Sequence, residues 1–256
     1  MFLCPNLYFC LTKQANTVKE DYHRWHSYRI RKEFDMLTFG HTGKPLIIFP
    51  TSYNRYFEAK DRGLIGSIQW LINEGRVKVY CPDSLDSENW YNQSLHPSDR
   101  VRSYEAYEEL ILQEVLPRAM YETGHDKVLV AGCSFGGYHA ANFAFRHPEK
   151  VASLISMGAK FDIRSFLDGF YNEGAYYQNP VDYMSNIGEG DQLRHIRNMG
   201  IVLGAGEHDI CKDANIQFAH ILRSKGIQHW LDIQPNHIHD WPAWLQVFPY
   251  YLGKVV

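Results

Sequence analysis

Val128-Leu129-Val130-Ala131-Gly132-Cys133-Ser134-Phe135-Gly136-Gly137-Tyr138-His139-Ala140-Ala141 is the stretch on which the reading of this chain turns. Its first four residues are apolar without a break, as in a strand buried on both faces. The residues after Gly136 have the apolar spacing of a helix. Between the two lies Gly132-x-Ser134-x-Gly136. A strand that turns straight into a helix forces the residue at the turn into a sparsely populated backbone conformation, and small residues on either side let the two arms pass closely. The central side chain then protrudes, and the helix N-terminus aims backbone N–H groups at whatever it carries. The Gly-x-Ser-x-Gly string alone is weak. Flanked by a strand and a helix, it marks Ser134 as a candidate nucleophile.

The same alternation of strand and helix runs outward from this turn. Residues 25–30 and 34–39 read as an antiparallel pair at a sheet edge. Residues 45–49, 77–81, 151–157, 201–203 and 229–233 read as further strands, mostly continuous apolar runs. Helical spacing covers 64–73, 103–121, 213–225 and 241–252, and His147-Pro148 ends the helix that follows Ser134. Repeated strand–helix units predict an α/β class protein, with a mostly parallel twisted sheet and helices on both faces. Residues 160–198 form a segment too long for a simple crossover and rich in aromatic residues. They are expected to make a small helical cap over the carboxyl edge of the sheet. The domain is expected to span 21–256, preceded by a loosely ordered leader over 1–20.

Composition excludes several function classes. The 256 residues carry a net charge of −3, so there is no broad basic field to attract nucleic acid or an anionic membrane. No apolar run reaches membrane-spanning length. The N-terminal segment is apolar but lacks the basic start and small-residue cleavage site of a signal peptide, which makes a cytoplasmic location the expectation. Five widely spaced cysteines contain no CxxC pair, so neither a zinc site nor a disulfide framework is expected. No cofactor is called for, and a homo-oligomer is left open.

Ligands of such a sheet bind beyond the carboxyl ends of its strands. A serine hydroxyl is a weak nucleophile that needs a base, and the base needs an orienting acid. Two loops supply both. Gly206-Glu207-His208-Asp209 follows one predicted strand, and Asn236-His237-Ile238-His239-Asp240-Trp241 precedes the last helix. His237 and His239 compete as base. Asp209 is the first choice of acid and Glu207 the second, while Asp213 is expected to cap the helix beside it. The oxyanion would take one donor from the Phe135 N–H and another from the loop after residue 49, through Thr51 or, as the alternative, Ser52. Cys133 occupies an inward-facing position of the turn and is not the nucleophile.

Three local matches make the sequence similar to the esterase D-like branch of the α/β-hydrolases, which includes S-formylglutathione hydrolases, feruloyl esterases and mycolyltransferases. They are Gly132-Cys133-Ser134-Phe135-Gly136-Gly137, Gly206-Glu207-His208-Asp209 and His239-Asp240-Trp241-Pro242-Ala243-Trp244. The last match selects His239 over His237. Asp83-Ser84-Leu85-Asp86-Ser87-Glu88-Asn89-Trp90-Tyr91 resembles the aromatic active-site loop of that branch, which implies substrate contacts from Trp90 and Tyr91; Ser52 and Tyr53, in the loop after residue 49, are further substrate-binding candidates. Where the branch carries His-Gly, this chain has Phe49-Pro50-Thr51-Ser52, and Pro50 offers no N–H. The resemblance implies an α/β-hydrolase fold and a serine carboxylesterase acting on a small ester through an acyl-enzyme. An acyltransferase with the same Ser134, His239 and Asp209 is the alternative, and an inactive hydrolase-like binding protein the third reading.

Overall fold

The computed structural model describes residues 18–256. Eight strands form one sheet in the order β1-β2-β4-β3-β5-β6-β7-β8. They are β1 (Glu20–Ser27), β2 (Lys32–Phe39), β3 (Lys44–Phe49), β4 (Val77–Pro82), β5 (Val128–Cys133), β6 (Val151–Met157), β7 (Gly200–Gly206) and β8 (Trp230–Gln234). β1 pairs antiparallel with β2, and β2 antiparallel with β4; every other pairing is parallel. The leader expected for 1–20 lies outside the described residues up to 17. Its last residues belong to the sheet, since Glu20 opens β1 and the Lys19 carbonyl accepts from Gly40 N at 2.8 Å.

Period-two alternation along the continuous apolar runs sorts their side chains onto two faces. Ile47, Phe49, Val128 and Val130 join one buried layer, while Leu46, Ile48, Leu129 and Ala131 join the other. The first layer is closed by the helices Pro97–Leu110, Phe135–Arg146 and Lys212–Ser224, the second by short helices around 64–73 and by Trp241–Val255. This double cover is why β3 and β5 read as unbroken hydrophobic strands rather than as alternating ones.

Several boundaries differ from the sequence reading. The long helix begins at Pro97, six positions before the expected start: proline fits a first helical position, and the His96 ring accepts from the Ser98 amide. It continues through a π-helical turn, Ile111–Val115, into Leu116–Thr123. The helix expected over 64–73 is broken at Ile68 into Leu64–Ser67 and Gln69–Asn73. Asp213 does not cap the helix beside it; the cap position is Cys211, and Asp213 falls in the first turn.

The 160–198 segment carries short helices, Glu173–Tyr177, Pro180–Asn186 and Asp191–Arg197. Its aromatic residues mostly pack sideways. Tyr183 is buried with its hydroxyl donating to Asn142, and Tyr176, Tyr177 and Tyr183 line a depression of 660 Å³ with Arg146. Phe166 is the exception, lying 5.3 Å from Phe135 and 4.9 Å from Tyr91 between ring centroids.

Candidate active site

Ser134 sits between β5 and the helix Phe135–Arg146 with φ 53° and ψ −123°. A non-glycine residue held there costs on the order of 1–3 kcal/mol and must be over-determined by its surroundings. The flanking glycines show how. A Cβ on Gly132 would lie 2.1 Å from the Gly136 carbonyl oxygen, and one on Gly136 would lie 2.4 Å from that of Phe49. Any larger residue at either place would drive strand and helix apart. The Ser134 amide donates to the Met157 carbonyl at 2.7 Å, tying the turn to β6.

The loops after β7 and β8 meet at this turn. Ser134 Oγ lies 2.9 Å from His239 Nε2, and His239 Nδ1 lies 2.8 Å from Asp209 Oδ1. Asp209 is buried, His239 partly so, and Trp244 meets the imidazole edge-on at 4.9 Å. A carboxylate only accepts, so Nδ1 carries the proton toward Asp209 and Nε2 is left to accept from the serine. The competing candidates face elsewhere. His237 Nε2 pairs with Gln246 Oε1 at 3.1 Å, and Glu207 accepts from the Asn236 amide at 3.0 Å. Cys133 is fully buried, which pushes its thiol far above the ordinary value.

The second oxyanion donor requires a correction. The Thr51 amide donates to Glu58 Oε2 at 2.8 Å, and the Thr51 hydroxyl to Glu58 Oε1 at 2.7 Å. Both Thr51 donors are therefore spent on a buried carboxylate. Burial raises the Glu58 pKa, and the two Thr51 bonds oppose the rise. The next N–H along the loop belongs to Ser52, which lines the pocket at Ser134. Phe135, as first residue of its helix, presents one of the N–H groups that no helical carbonyl can satisfy.

That pocket, 290 Å³ in volume, is lined by Thr51, Ser52, Ser134, His239, Asp240, Trp241 and Trp244. None of these belongs to the 160–198 segment. Ser52 Oγ and Tyr91 Oη lie 2.7 Å apart, and the exposed Tyr53 packs against Tyr91 with ring centroids 4.1 Å apart and the planes tilted by 43°. Trp90 departs from expectation. It is 1% exposed, packed between Tyr104, Tyr138 and Phe166, and so belongs to the core rather than to the pocket.

The loop bearing Tyr91 is held from below by residues the sequence reading missed. Arg55 Nε donates to both oxygens of Asp83 at 2.9 and 2.8 Å, clamping this loop to the one after β3. Asp86 and His139, each 1% exposed, pair at 2.9 Å beneath Phe135. These are ordinary polar residues in sequence; only their simultaneous burial sets them apart. Among the described residues one group could hold a metal: Asp209, Cys211 and His239 offer donor atoms within 4.8 Å of one another. Burial and the Asp209 carboxylate push the Cys211 thiol up to about 11.

Comparison with known proteins agrees with this architecture. Residues 81–196, which include the Ser134 turn, match the family model described as alpha/beta hydrolase fold. No curated protein matches the chain in sequence. Among solved structures, a ferulic acid esterase is similar at TM-score 0.75 and 18% identity, covering 93% of this chain and 98% of that one. An S-formylglutathione hydrolase from Staphylococcus aureus has TM-score 0.71 and 15% identity, covering 93% of this chain and 96% of its own. A ferulic acid esterase from Anaeromyces mucronatus has TM-score 0.71 and 13% identity, covering 98% and 96%. These are the kinds of protein that the three sequence motifs resemble. Among the described residues, no helix is long and apolar enough to cross a membrane. With its sheet order, its strained strand–helix turn and these likenesses, the chain has the α/β-hydrolase fold.

Proposed function

We propose that this protein is a serine esterase that hydrolyses small carboxylic esters through an acyl-enzyme. The observation that carries the reading is the continuous series Ser134–His239–Asp209, at 2.9 and 2.8 Å, on a turn strained to present the serine. Ser134 Oγ attacks the ester carbonyl while His239 Nε2 takes its proton, and Asp209 holds the imidazole in the tautomer that leaves Nε2 free. The oxyanion that forms is held by the N–H groups of Phe135 and Ser52; one such donor is worth roughly 10² to 10³ in rate. His239 returns the proton to the leaving alcohol. Water then attacks the acyl carbon as it gives a proton to His239, and His239 passes that proton to Ser134 Oγ as the acid leaves.

The pocket favours a small or flat acyl group, since its 290 Å³ beside Ser134 are lined in part by the large side chains of Trp241 and Trp244. The test is a panel of p-nitrophenyl esters, acetyl through long-chain, together with a hydroxycinnamate ester. Saturable hydrolysis that declines for long chains supports the proposal, and an acetyl ester left untouched at every pH tried removes it. Repeating the assay with added alcohols separates hydrolysis from acyl transfer, since only a transferase would give the new ester as main product.

A further inference from the structure

Asp209 is fully withdrawn from solvent, with 0% of its side chain exposed, yet one of its oxygens is unpaired. Oδ1 accepts from His239 Nδ1 at 2.8 Å and from the Cys211 amide at 2.7 Å. Oδ2 has no hydrogen-bond partner. A buried acceptor left without a donor costs on the order of 1–3 kcal/mol, and more when it is charged. A positive group beside Oδ2 is therefore favoured, and the neighbouring atoms say which kind. Cys211 Sγ and a ring nitrogen of His239 lie within 4.8 Å of an Asp209 oxygen and of each other. Gly158, at φ 58°, places no side chain between them; a Cβ there would fall 2.8 Å from Oδ2 and 3.1 Å from His239 Nδ1.

We propose that Asp209, Cys211 and His239 form an inhibitory site for a thiophilic divalent cation of the Zn²⁺ or Cd²⁺ type. Carboxylate, imidazole and thiolate are all ligands of such ions at about 2.0–2.3 Å, so donors around a tetrahedral ion stand roughly 3.5 Å apart. Three donors already within 4.8 Å close on an ion by shifts of about an ångström. The sulfur and nitrogen donors disfavour Mg²⁺ and Ca²⁺, which take oxygen ligands. Three protein ligands leave a fourth position for water, the pattern of an exchangeable site rather than a closed structural one.

The consequence for His239 follows from its two nitrogens, and it rests on the esterase reading above. A metal at Nδ1 needs the lone pair there, so the single ring proton moves to Nε2. The Cys211 thiol proton leaves for solvent. Nε2 then donates instead of accepting, and nothing remains to take the proton of Ser134. Metal binding thus locks the imidazole in the unproductive tautomer.

The test uses the full chain freed of metal by chelation and then titrated with Cd²⁺ or Zn²⁺. Bound metal is followed by equilibrium dialysis, the Cd²⁺–thiolate charge-transfer band by ultraviolet absorbance, and hydrolysis of an acetyl ester in parallel. One ion should bind per chain, the band should appear, and activity should fall with occupancy and return with EDTA. Cys211→Ser and Cys211→Ala should each weaken binding at least about tenfold, lose the band, and lose inhibition relative to their own metal-free rates. Replacing Cys4 and Cys10 together with Ser should change none of these. Ser134→Ala should bind the ion as the parent does; a parent chain that binds the ion but hydrolyses no acetyl ester would sink the esterase reading and leave the site standing. Absence of stoichiometric binding, or a Cys211→Ala chain that binds Cd²⁺ as tightly as the parent, overturns the proposal.

Discussion

Glu58 is the residue whose removal probes the oxyanion loop most selectively, because it touches neither Ser134 nor His239. It accepts the Thr51 amide at 2.8 Å and the Thr51 hydroxyl at 2.7 Å, from a side chain buried beneath the loop. A hydrogen bond to a charged group contributes about 1.5–3 kcal/mol, and the desolvation that raises the Glu58 pKa offsets part of the pair. Glu58→Ala should therefore cost about 2–4 kcal/mol, a fall of roughly 5–15 °C in Tm for a domain of this size. It also frees the Thr51 N–H and lets the loop carrying the Ser52 N–H shift, which should lower kcat by about 10² with a smaller change in KM. Glu58→Gln keeps an acceptor for the Thr51 amide, and its NH₂ can donate to Oγ1, so it should lie between parent and Glu58→Ala. Urea unfolding and acetyl-ester kinetics on the three proteins make the comparison. If Glu58→Ala unfolds at the parent midpoint and keeps its kcat, the loop does not depend on this carboxylate and the reasoning is refuted.

Three other outcomes follow from the same geometry. Asp209→Asn should reduce kcat by a factor on the order of 10⁴ while Glu207→Gln stays near the parent rate; the reverse pattern would move the acid to Glu207. Gly158→Ala puts a methyl 2.8 Å from Asp209 Oδ2 and 3.1 Å from His239 Nδ1 at φ 58°, so it should cost about 10² in kcat in a chain that still folds, and parent-like turnover would show that the dyad tolerates displacement. Burial pushes Glu122 up, but bonds from Lys78, Arg118 and Tyr80 outweigh it and hold the carboxyl at about 2, below its ordinary 4.5. Its contribution is then complete above pH 4.5 and is lost as pH falls through about 2. With 24% of the side chain exposed, about 1 kcal/mol is expected, so Glu122→Gln should be less stable than the parent at pH 6 and equal to it near pH 2 by urea unfolding.

What could be seen in the sequence follows the range of the forces involved. The Ser134 turn was legible because its causes are local: two glycines, a strand before and a helix after. Strand order carries the loops of Asp209 and His239 to the same sheet edge, and only the His239-Asp240-Trp241-Pro242-Ala243-Trp244 match separated His239 from His237 on its loop. The engagement of Thr51 was not legible, since its amide is taken by Glu58, a charged residue whose burial only the folded chain reveals. Trp90 misled for a related reason. An aromatic residue in a loop beside the nucleophile looks the same whether it faces the cleft or the core, and only the packing of Tyr104, Tyr138 and Phe166 around it decides. The aromatic 160–198 segment likewise reads as a cover for the cleft. Yet Tyr183 finds its partner on the helix behind Ser134, and Phe166 is left to reach Tyr91 and Phe135. The early start of the helix at Pro97 was available in His96-Pro97, a cap followed by a proline at the first position.

The central claim is that Ser134 is the nucleophile, and covalent labelling tests it with least ambiguity. The purified chain is treated with a fluorophosphonate, digested and mapped by mass spectrometry, alongside Ser134→Ala and His239→Ala. One adduct per chain is expected on Ser134, with loss of ester hydrolysis in step with labelling, no adduct in Ser134→Ala, and labelling slowed by orders of magnitude in His239→Ala. An adduct on any other residue, or a Ser134→Ala chain that still labels and still hydrolyses ester, would contradict it.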